Sequence, residues 1–237
     1  MLNTMIWNAR GIKNSDTRSR VKALIKLHRL NLCAILEPLI PVSDLLSTRP
    51  KHKFSSSLSN NRSTIWLFWD DSLDCSLIHD GGQSLTVLCH HKTTNVDFLL
   101  TIVYAKCTRS ERQTLWRHLR HVNPSSLPWL VGGDFNVVTS LDERLGGLPV
   151  NISAMQDFND CIDDCSLRPF TTTGSRFTWK KDRQQFWQTL DRYLCNDAWV
   201  NLFPISVIII STRLCSDHSP IIGEFKKDMK FSSGFKF

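Results

Sequence analysis

Apolar and polar positions along the chain fall into two periods, one of two residues and one near 3.6. Thr4–Asn8 is a short extended run that ends in a polar turn, Asn8-Ala9-Arg10-Gly11. Ser15 and Asp16 then offer an N-cap. Val21, Leu24, Ile25 and His28 recur at helical spacing, so the pattern predicts a helix from Thr17 to Leu30. Leu32–Leu36 is a second strand, stopped at Glu37 by Pro38, and further β-type runs follow at Thr64–Trp69, Ser84–His90 and Asp97–Tyr104. Arg109–His121 reads as an amphipathic helix carrying Leu115, Trp116 and Leu119. Trp129–Val131 is a buried strand leading into Gly132-Gly133-Asp134-Phe135-Asn136, and Ala154–Ser166 is another helix. Short strands close the pattern at Arg176–Trp179, Trp187–Cys195, Ile205–Ser211 and Pro220–Phe225.

The β-runs outnumber the helices, and several follow one another directly. That predicts an α/β (α+β) protein of mixed sheets covered by helices, in preference to a purely parallel βαβ fold. The Pro- and Ser-containing stretch Pro41–Asn61 reads as a surface loop within one domain, residues 1–226. Residues 227–237 have no pattern and read as a disordered tail. With 41% hydrophobic and 22% charged residues, the chain has a globular composition, which excludes disordered and fibrous classes.

No apolar run approaches the ~18–20 residues of a membrane span, and the N-terminal MLNTMIWNARG lacks a signal-peptide core. A soluble, intracellular protein of the nucleus or cytoplasm is expected, with no membrane partner. The cysteines at 33, 75, 89, 107, 161, 165, 195 and 215 contain no CxxC pair and sit mostly in apolar segments, so reduced thiols are expected. Cys89-His90-His91 is a Cys/His cluster, but neighbours on a strand point to opposite faces, which argues against a zinc site there.

The chemistry-bearing residues gather at strand ends. Asn8, Glu37, Tyr104, and Asp134 with Asn136 each end a strand, Asp191 lies in the RYLC strand region, and Asp217-His218 precede the last strand. In layered α/β folds such ends present polar groups over a rigid sheet. Asp134 and Asn136 are two apart, so extended geometry would project both to one side, able to hold a water and a phosphate oxygen together. Taken singly, each residue has a bland explanation: a solvated strand end, an Asx turn, a loop cap. Their recurrence is the signal.

These residues lie in ordered motifs: Ile6-Trp7-Asn8 with Gly11, Leu36-Glu37, Val103-Tyr104, Gly133-Asp134-Phe135-Asn136, Phe177-Thr178-Trp179, Leu190-Asp191-Arg192 and Ser216-Asp217-His218-Ser219-Pro220. From about residue 3 to 225 the chain resembles the exonuclease–endonuclease–phosphatase superfamily, of which DNase I and the abasic-site endonucleases are members. The wider text, IVYAKCTRSER, PWLVGGDFNVV and ERLGG, is similar to the endonuclease domain of plant LINE-type non-LTR retrotransposons.

The resemblance implies a four-layer αββα sandwich, two mixed sheets face to face with helices outside. It also implies a metal-dependent phosphodiesterase using Mg²⁺, with Mn²⁺ as the alternative. Glu37 would be the main metal ligand, with Asn8. Asp134 would orient or deprotonate the attacking water, with Asn136 beside it. His218, paired with Asp191, would bind the scissile phosphate, Tyr104 would contact it, and Asp217 would help the metal or the leaving group.

The formal charge of +7 fits a nucleic-acid partner, DNA or else RNA. Basic residues bunch at Arg49–Lys53, Arg109–His121 and Arg176–Arg183, and the last bunch fits a hairpin whose Lys180, Lys181 and Arg183 would bind phosphates. Trp179 and Trp187 read as core aromatics. The expected function is a DNA-nicking endonuclease, monomeric and derived from a LINE-type element. The alternatives are a phosphatase or RNA exonuclease of the same superfamily, or a decayed nucleic-acid-binding remnant.

Overall fold

The computed structural model describes residues 1–50, 53–124, 126–181 and 185–227. In chain order its strands begin with β1 (Leu2–Asn8), β2 (Leu32–Leu36), β3 (Ser56–Ser59), β4 (Ile65–Trp69), β5 (Leu73–Asp80), β6 (Ser84–His91), β7 (Val96–Tyr104) and β8 (Trp129–Asp134). They continue with β9 (Arg144–Leu145), β10 (Arg168–Pro169), β11 (Thr172–Gly174), β12 (Trp179–Lys180), β13 (Trp187–Gln188), β14 (Asp191–Cys195), β15 (Ile205–Ile210) and β16 (Ile221–Lys226). The helices are α1 (Ser15–His28), α2 (Leu45–Thr48), α3 (Arg109–Val122), α4 (Ile152–Asp164) and α5 (Asp197–Leu202).

Two mixed sheets carry the fold. One runs β11-β15-β16-β1-β2-β4-β3 and the other β10-β14-β8-β7-β6-β5. Their facing sides share a single core, in which Ile6, Ala34, Leu67 and Ile221 of the first sheet meet Leu85, Leu100, Ile102 and Tyr193 of the second. The outer face of the first sheet, through Trp7, Ile35 and Trp66, packs on Val21, Leu24 and Ile25 of α1. The outer face of the second, through Val103, Trp129 and Val131, packs on α3 and α4 with Trp116 and Phe158 at the centre. The result is the four-layer α/β sandwich expected from the sequence. The central strands β2 and β4 are buried at every position, which is why they read as continuous apolar runs.

The elements depart from the sequence expectation where side chains carry no apolar signal. β5, with Asp74, Ser76 and His79 among its residues, was not anticipated because it is an edge strand with one solvated face. β3 and α2 lie within Pro41–Asn61, which is therefore more than a loop. β3 pairs with β4 through its main chain, and its serines give no pattern. α1 starts at Ser15 because Asn14, not Ser15 or Asp16, caps it, and it ends at His28 because Arg29 turns left-handed. The run Trp187–Cys195 divides into β13 and β14 where Thr178 Oγ1 accepts the N–H groups of Leu190 and Asp191. All eight cysteines are free. The tail proposed as disordered lies, from residue 228 on, outside the described residues.

Candidate active site

Strand register assembles the site. β1 and β2 are parallel with Asn8 opposite Leu36, so Asn8 and Glu37 emerge at one end of the first sheet. In the second sheet β7 and β8 are parallel with Tyr104 opposite Asp134, and β14 runs antiparallel with Asp191 opposite the same Asp134. Three residues distant in sequence thus stand side by side on adjacent strands. The two sheets meet here: Asn8 Nδ2 donates to Asp134 Oδ2 at 3.0 Å and to Glu37 Oε1 at 3.0 Å.

At the centre is a buried triad of Asp134, Asp191 and His218. His218 Nδ1 lies 2.8 Å from Asp191 Oδ2, and His218 Nε2 lies 3.7 Å from Asp134 Oδ2. Burial works against a charged imidazole, but Asp191 and Asp134 more than offset it, and the His218 pKa is raised to about 9. Burial and the neighbouring Asp191 raise Asp134 to about 7 against the pull of His218. At neutral pH His218 is therefore held as a cation, while Asp134 is poised near its titration point.

Glu37 and Asp217 form a more open rim. Glu37 Oε1 accepts from Tyr104 at 2.6 Å, and burial together with that carboxylate pushes the Tyr104 phenol well above its ordinary pKa, so it remains a donor. Asp217 Oδ2 accepts from Trp179 Nε1 at 2.9 Å. Arg10 bridges the rim, 3.4 Å from Glu37 and 3.6 Å from Asp217. Glu37, at φ 47°, and Asn136, at φ 50°, sit in left-handed backbone that non-glycine residues seldom adopt, a feature that clusters at functional sites.

Asn136 differs from its expected placement. Its left-handed turn brings its N–H to Asp134 Oδ1 at 3.0 Å, and its amide donates to the Ala105 carbonyl at 2.7 Å. It braces Asp134 instead of projecting beside it, because the strand ends at Asp134. Asn8 likewise turns its NH₂ to the two carboxylates while its oxygen accepts from Arg10 N–H.

The arrangement brings together a buried carboxylate, an imidazole caged between two carboxylates, and oxygen donors suited to a hard cation. The endonuclease/exonuclease/phosphatase family model matches residues 5–218, most of the chain. The chain belongs to that family.

Family members are phosphodiesterase hydrolases, nucleases and phosphatases, generally dependent on a divalent metal. No curated protein matches the chain by sequence. Solved structures share the fold at low identity. The endonuclease domain of TRAS1, a telomere-specific non-LTR retrotransposon, is 13% identical with a TM-score of 0.67, covering 95% of this chain and 98% of its own. The AP endonuclease LMAP from Leishmania major is 11% identical with a TM-score of 0.71, covering 96% and 88%. The 3′ phosphatase NExo from Neisseria, bound to a product DNA hairpin, is 12% identical with a TM-score of 0.68, covering 95% and 100%. No helix among the described residues is long and apolar enough to cross a membrane.

Several supports of this site had no role assigned from sequence, although Trp7, Thr178, Arg192 and Ser216 lie within its motifs. Arg10 lies in the turn after β1, where a basic residue gives no distinctive signal. Thr178 orders the entry to β14 as described, and its carbonyl accepts from Ser219 N–H at 2.7 Å. Trp7 Nε1 donates to the His218 carbonyl at 3.1 Å, and Ser216 Oγ bridges Asn8 O and His218 N–H. Arg192 holds Glu143 through two N–H donors at 2.9 and 2.8 Å, steadying the segment after Asn136.

The expected hairpin exists: Trp179–Lys180 pairs with Trp187–Gln188, and β9 extends it to three strands. Lys181 is exposed and Lys180 is half-buried, its Nζ 5.4 Å from the Trp187 ring. Arg183 lies outside the described residues. Trp179 and Trp187 are half-buried and not core residues, because they stand in this small three-stranded sheet, apart from the two large ones. The basic bunch on α3 faces its neighbours: Arg109 pairs with Asp157, Arg120 with Asp164, and Arg112 is buried against the carbonyls of Lys106, Cys107 and Asn136.

Proposed function

We propose that this chain is a Mg²⁺-dependent endonuclease that nicks DNA and derives from a LINE-type retrotransposon. The observation that carries the reading is the convergence of Asn8, Glu37, Tyr104, Asp134, Asp191, Asp217 and His218 from both sheets into one cluster. The retroelement-like sequence text and the fold shared with the TRAS1 domain support the origin. Lys180 and Lys181 on the hairpin beside Asp217 suit a phosphate backbone, with Lys180 N–H bonded to the Asp217 carbonyl. A single domain over residues 1–226, acting as a monomer, completes the reading.

The donor set fits a hard cation: Glu37 and Asp217 are carboxylates on a half-open rim, with the Asn8 amide beside them. Mg²⁺ needs only one or two protein carboxylates, keeping water elsewhere. Glu37 would hold it with Asn8 and Asp217, and the ion would supply polarisation of the phosphoryl oxygen and charge neutralisation of the leaving oxygen.

The chain's own groups do the rest. His218, kept cationic by Asp191, binds a nonbridging phosphate oxygen. Asp134, steadied by Asn8 and Asn136, accepts the proton of the attacking water as the new P–O bond forms and the ester P–O bond breaks. The raised pKa of His218 supports Asp134 as the base, since a group protonated up to about 9 is a poor base at neutral pH. Tyr104 orients Glu37 and offers its hydroxyl to the phosphate.

The test is conversion of supercoiled plasmid to the nicked circle by purified protein, with Mg²⁺ or EDTA. Nicking is expected with Mg²⁺ alone. Asn8→Ala, which removes the group steadying Glu37, is expected to raise the Mg²⁺ required by on the order of 10–100-fold. Undiminished nicking in EDTA would refute the metal-dependent reading, and a folded wild-type protein inert with both Mg²⁺ and Mn²⁺ would leave a nucleic-acid-binding role instead.

The pH profile tests the roles. Asp134 must be ionised and His218 protonated, so kcat/KM at saturating Mg²⁺ should rise through about 7 and fall through about 9. Both limbs belong to the coupled triad. A His218→Gln variant with residual activity should lose the alkaline limb; a wild-type profile flat across that range would contradict the assignment.

A further inference from the structure

No cysteine thiol enters the chemistry above, yet two of them stand in bonding register. Cys75 on β5 and Cys89 on β6 are direct partners in an antiparallel pair. They lie in its regular stretch, which runs from Leu73 opposite His91 to Leu77 opposite Val87, before the register shifts. Just beyond that stretch Lys92 N–H donates to the Ser72 carbonyl. Counted inward from this bond, Asp74 with His90 is a hydrogen-bonded pair, and Cys75 with Cys89 a non-hydrogen-bonded one. The Cα atoms of such a pair stand about 4.5 Å apart, within the roughly 4.4–6.8 Å that a disulfide spans. Both side chains point to the core between the sheets, with their Sγ atoms 2.8 Å apart. A bond of about 2.05 Å would require the sulfurs to approach by less than ~1 Å.

The two sulfurs differ in access. Cys89 is buried, whereas Cys75 is half-buried because β5 is the outer strand of its sheet. Burial, with the Cys75 sulfur beside it, holds the Cys89 thiol well above the ordinary cysteine pKa, so it stays protonated. Cys75 is then the sulfur that a dissolved oxidant meets first. The other cysteines lack this combination of a partner and access. Cys33 faces Met5 and Phe68 on its neighbouring strands, and Cys195 faces Arg168 and Leu130. Cys161 and Cys165, one helical turn apart, are both buried in the core beneath α3. Cys107 and Cys215 are exposed but stand outside the strands.

We propose that Cys75 and Cys89 form a redox-responsive pair, closed to a disulfide by a small-molecule disulfide such as oxidised glutathione and reopened by thiols. The Cys75 thiolate attacks one sulfur of the oxidant, leaving a mixed disulfide and releasing one thiolate. Cys89 gives up its proton and attacks Cys75 Sγ, and the second thiolate departs. Two protein thiols are oxidised and the oxidant is reduced to two small thiols. A disulfide that is partly exposed on an edge strand belongs to the labile, readily reduced kind. The link closes the β5–β6 hairpin across a sequence separation of 14 and ties down the strand whose outer main chain has no partner strand. The turn at the far end of that hairpin carries Gln83, whose carbonyl accepts Tyr104 N–H at 2.8 Å. The inference stands independently of the nuclease reading.

The experiment equilibrates the folded full-length protein in glutathione buffers of graded oxidised-to-reduced ratio and then alkylates the remaining thiols. Cys75 and Cys89 share one stretch free of Lys and Arg, from Ser63 to Lys92, so cleavage before Asp80 is needed to display the cross-link by mass spectrometry. A peptide joining Cys75 to Cys89 should appear under oxidising conditions and disappear with dithiothreitol. Tm should rise by about 5 °C or more on oxidation and fall back on reduction. Both effects should persist in the Cys107→Ser, Cys215→Ser double variant, which removes the exposed thiols. Both should be absent from Cys75→Ser, altered at the half-buried position where folding is least disturbed. Recovery of Cys75 only as its glutathione adduct, a cross-link to any other cysteine, or a linked protein of unchanged Tm would each overturn the proposal.

Discussion

Replacing Asp134 with alanine is expected to lower metal-dependent nicking by on the order of 10²–10⁴-fold, the usual contribution of a positioned general base. Asp134 lies at the junction of both sheets, 1% exposed, with one oxygen held by Asn136 N–H and the other by Asn8. No neighbour can replace it: Asp191 is turned to His218 Nδ1, and Glu37 is held by Tyr104 and Arg10. Because Asp134 and His218 act on one reacting group, Asp134→Ala combined with His218→Ala should be little worse than the more damaging single change.

The same substitution separates catalysis from stability. The folded-state pKa of Asp134 is raised, so its ionisation opposes folding. That cost is absent below the unfolded pKa, grows as pH rises toward about 7, and is constant above. Asp134→Asn should accordingly match the wild-type Tm in acid and equal or exceed it at pH 8, while remaining nearly inactive. Wild-type nicking rates in the Asp134→Ala protein would show that the assigned site is wrong. A large fall in Tm for Asp134→Asn at pH 8 would show instead that the carboxylate is structural.

The second large effect belongs to a residue with no side chain. Gly133→Ala is expected to destabilise the fold by about 3 kcal/mol or more, a fall in Tm of roughly 6–12 °C for a chain of this size. Gly133 has φ 146°, and a Cβ there would meet the Val103 carbonyl oxygen at 1.9 Å. Its contact is main chain on the adjacent parallel strand β7, which cannot swing aside as a flexible side chain would. Relief requires parting β7 from β8 at the position that sets Tyr104 against Asp134, so activity should fall along with Tm. Thermal unfolding followed by circular dichroism, beside the nicking assay, measures both. A Tm within a degree or two of wild type would mean that this stretch of the sheet yields more easily than its geometry indicates.

Much of the molecule was legible in one dimension. Strands such as Leu32–Leu36 and Ile65–Trp69 are apolar throughout because both faces of their sheet are covered, and an uninterrupted apolar run needs no partner to be recognised. α3 announces itself through Leu115, Trp116 and Leu119 on one face. The elements that escaped notice are sheet edges: β3 is serine-rich, and β5 is exposed over much of its length. Trp179 and Trp187 misled for the opposite reason, since large aromatics read as core wherever they stand, and these two stand half-buried in the small third sheet.

Apolar periodicity and turn residues are local properties of the chain, so the layered α/β class and the candidate residues at strand ends could be read from the sequence directly. Tertiary structure alone decided the geometry among those residues. That Asp134 faces both Tyr104 and Asp191 is a matter of register between strands far apart in sequence. That His218 carries a raised pKa follows from two buried carboxylates brought to it by other strands. That Asn136 braces Asp134, and that Arg10 lies between Glu37 and Asp217, follow from left-handed turns at the strand ends. Electrostatic coupling depends on distance and burial, and both exist only once the two sheets have closed on each other.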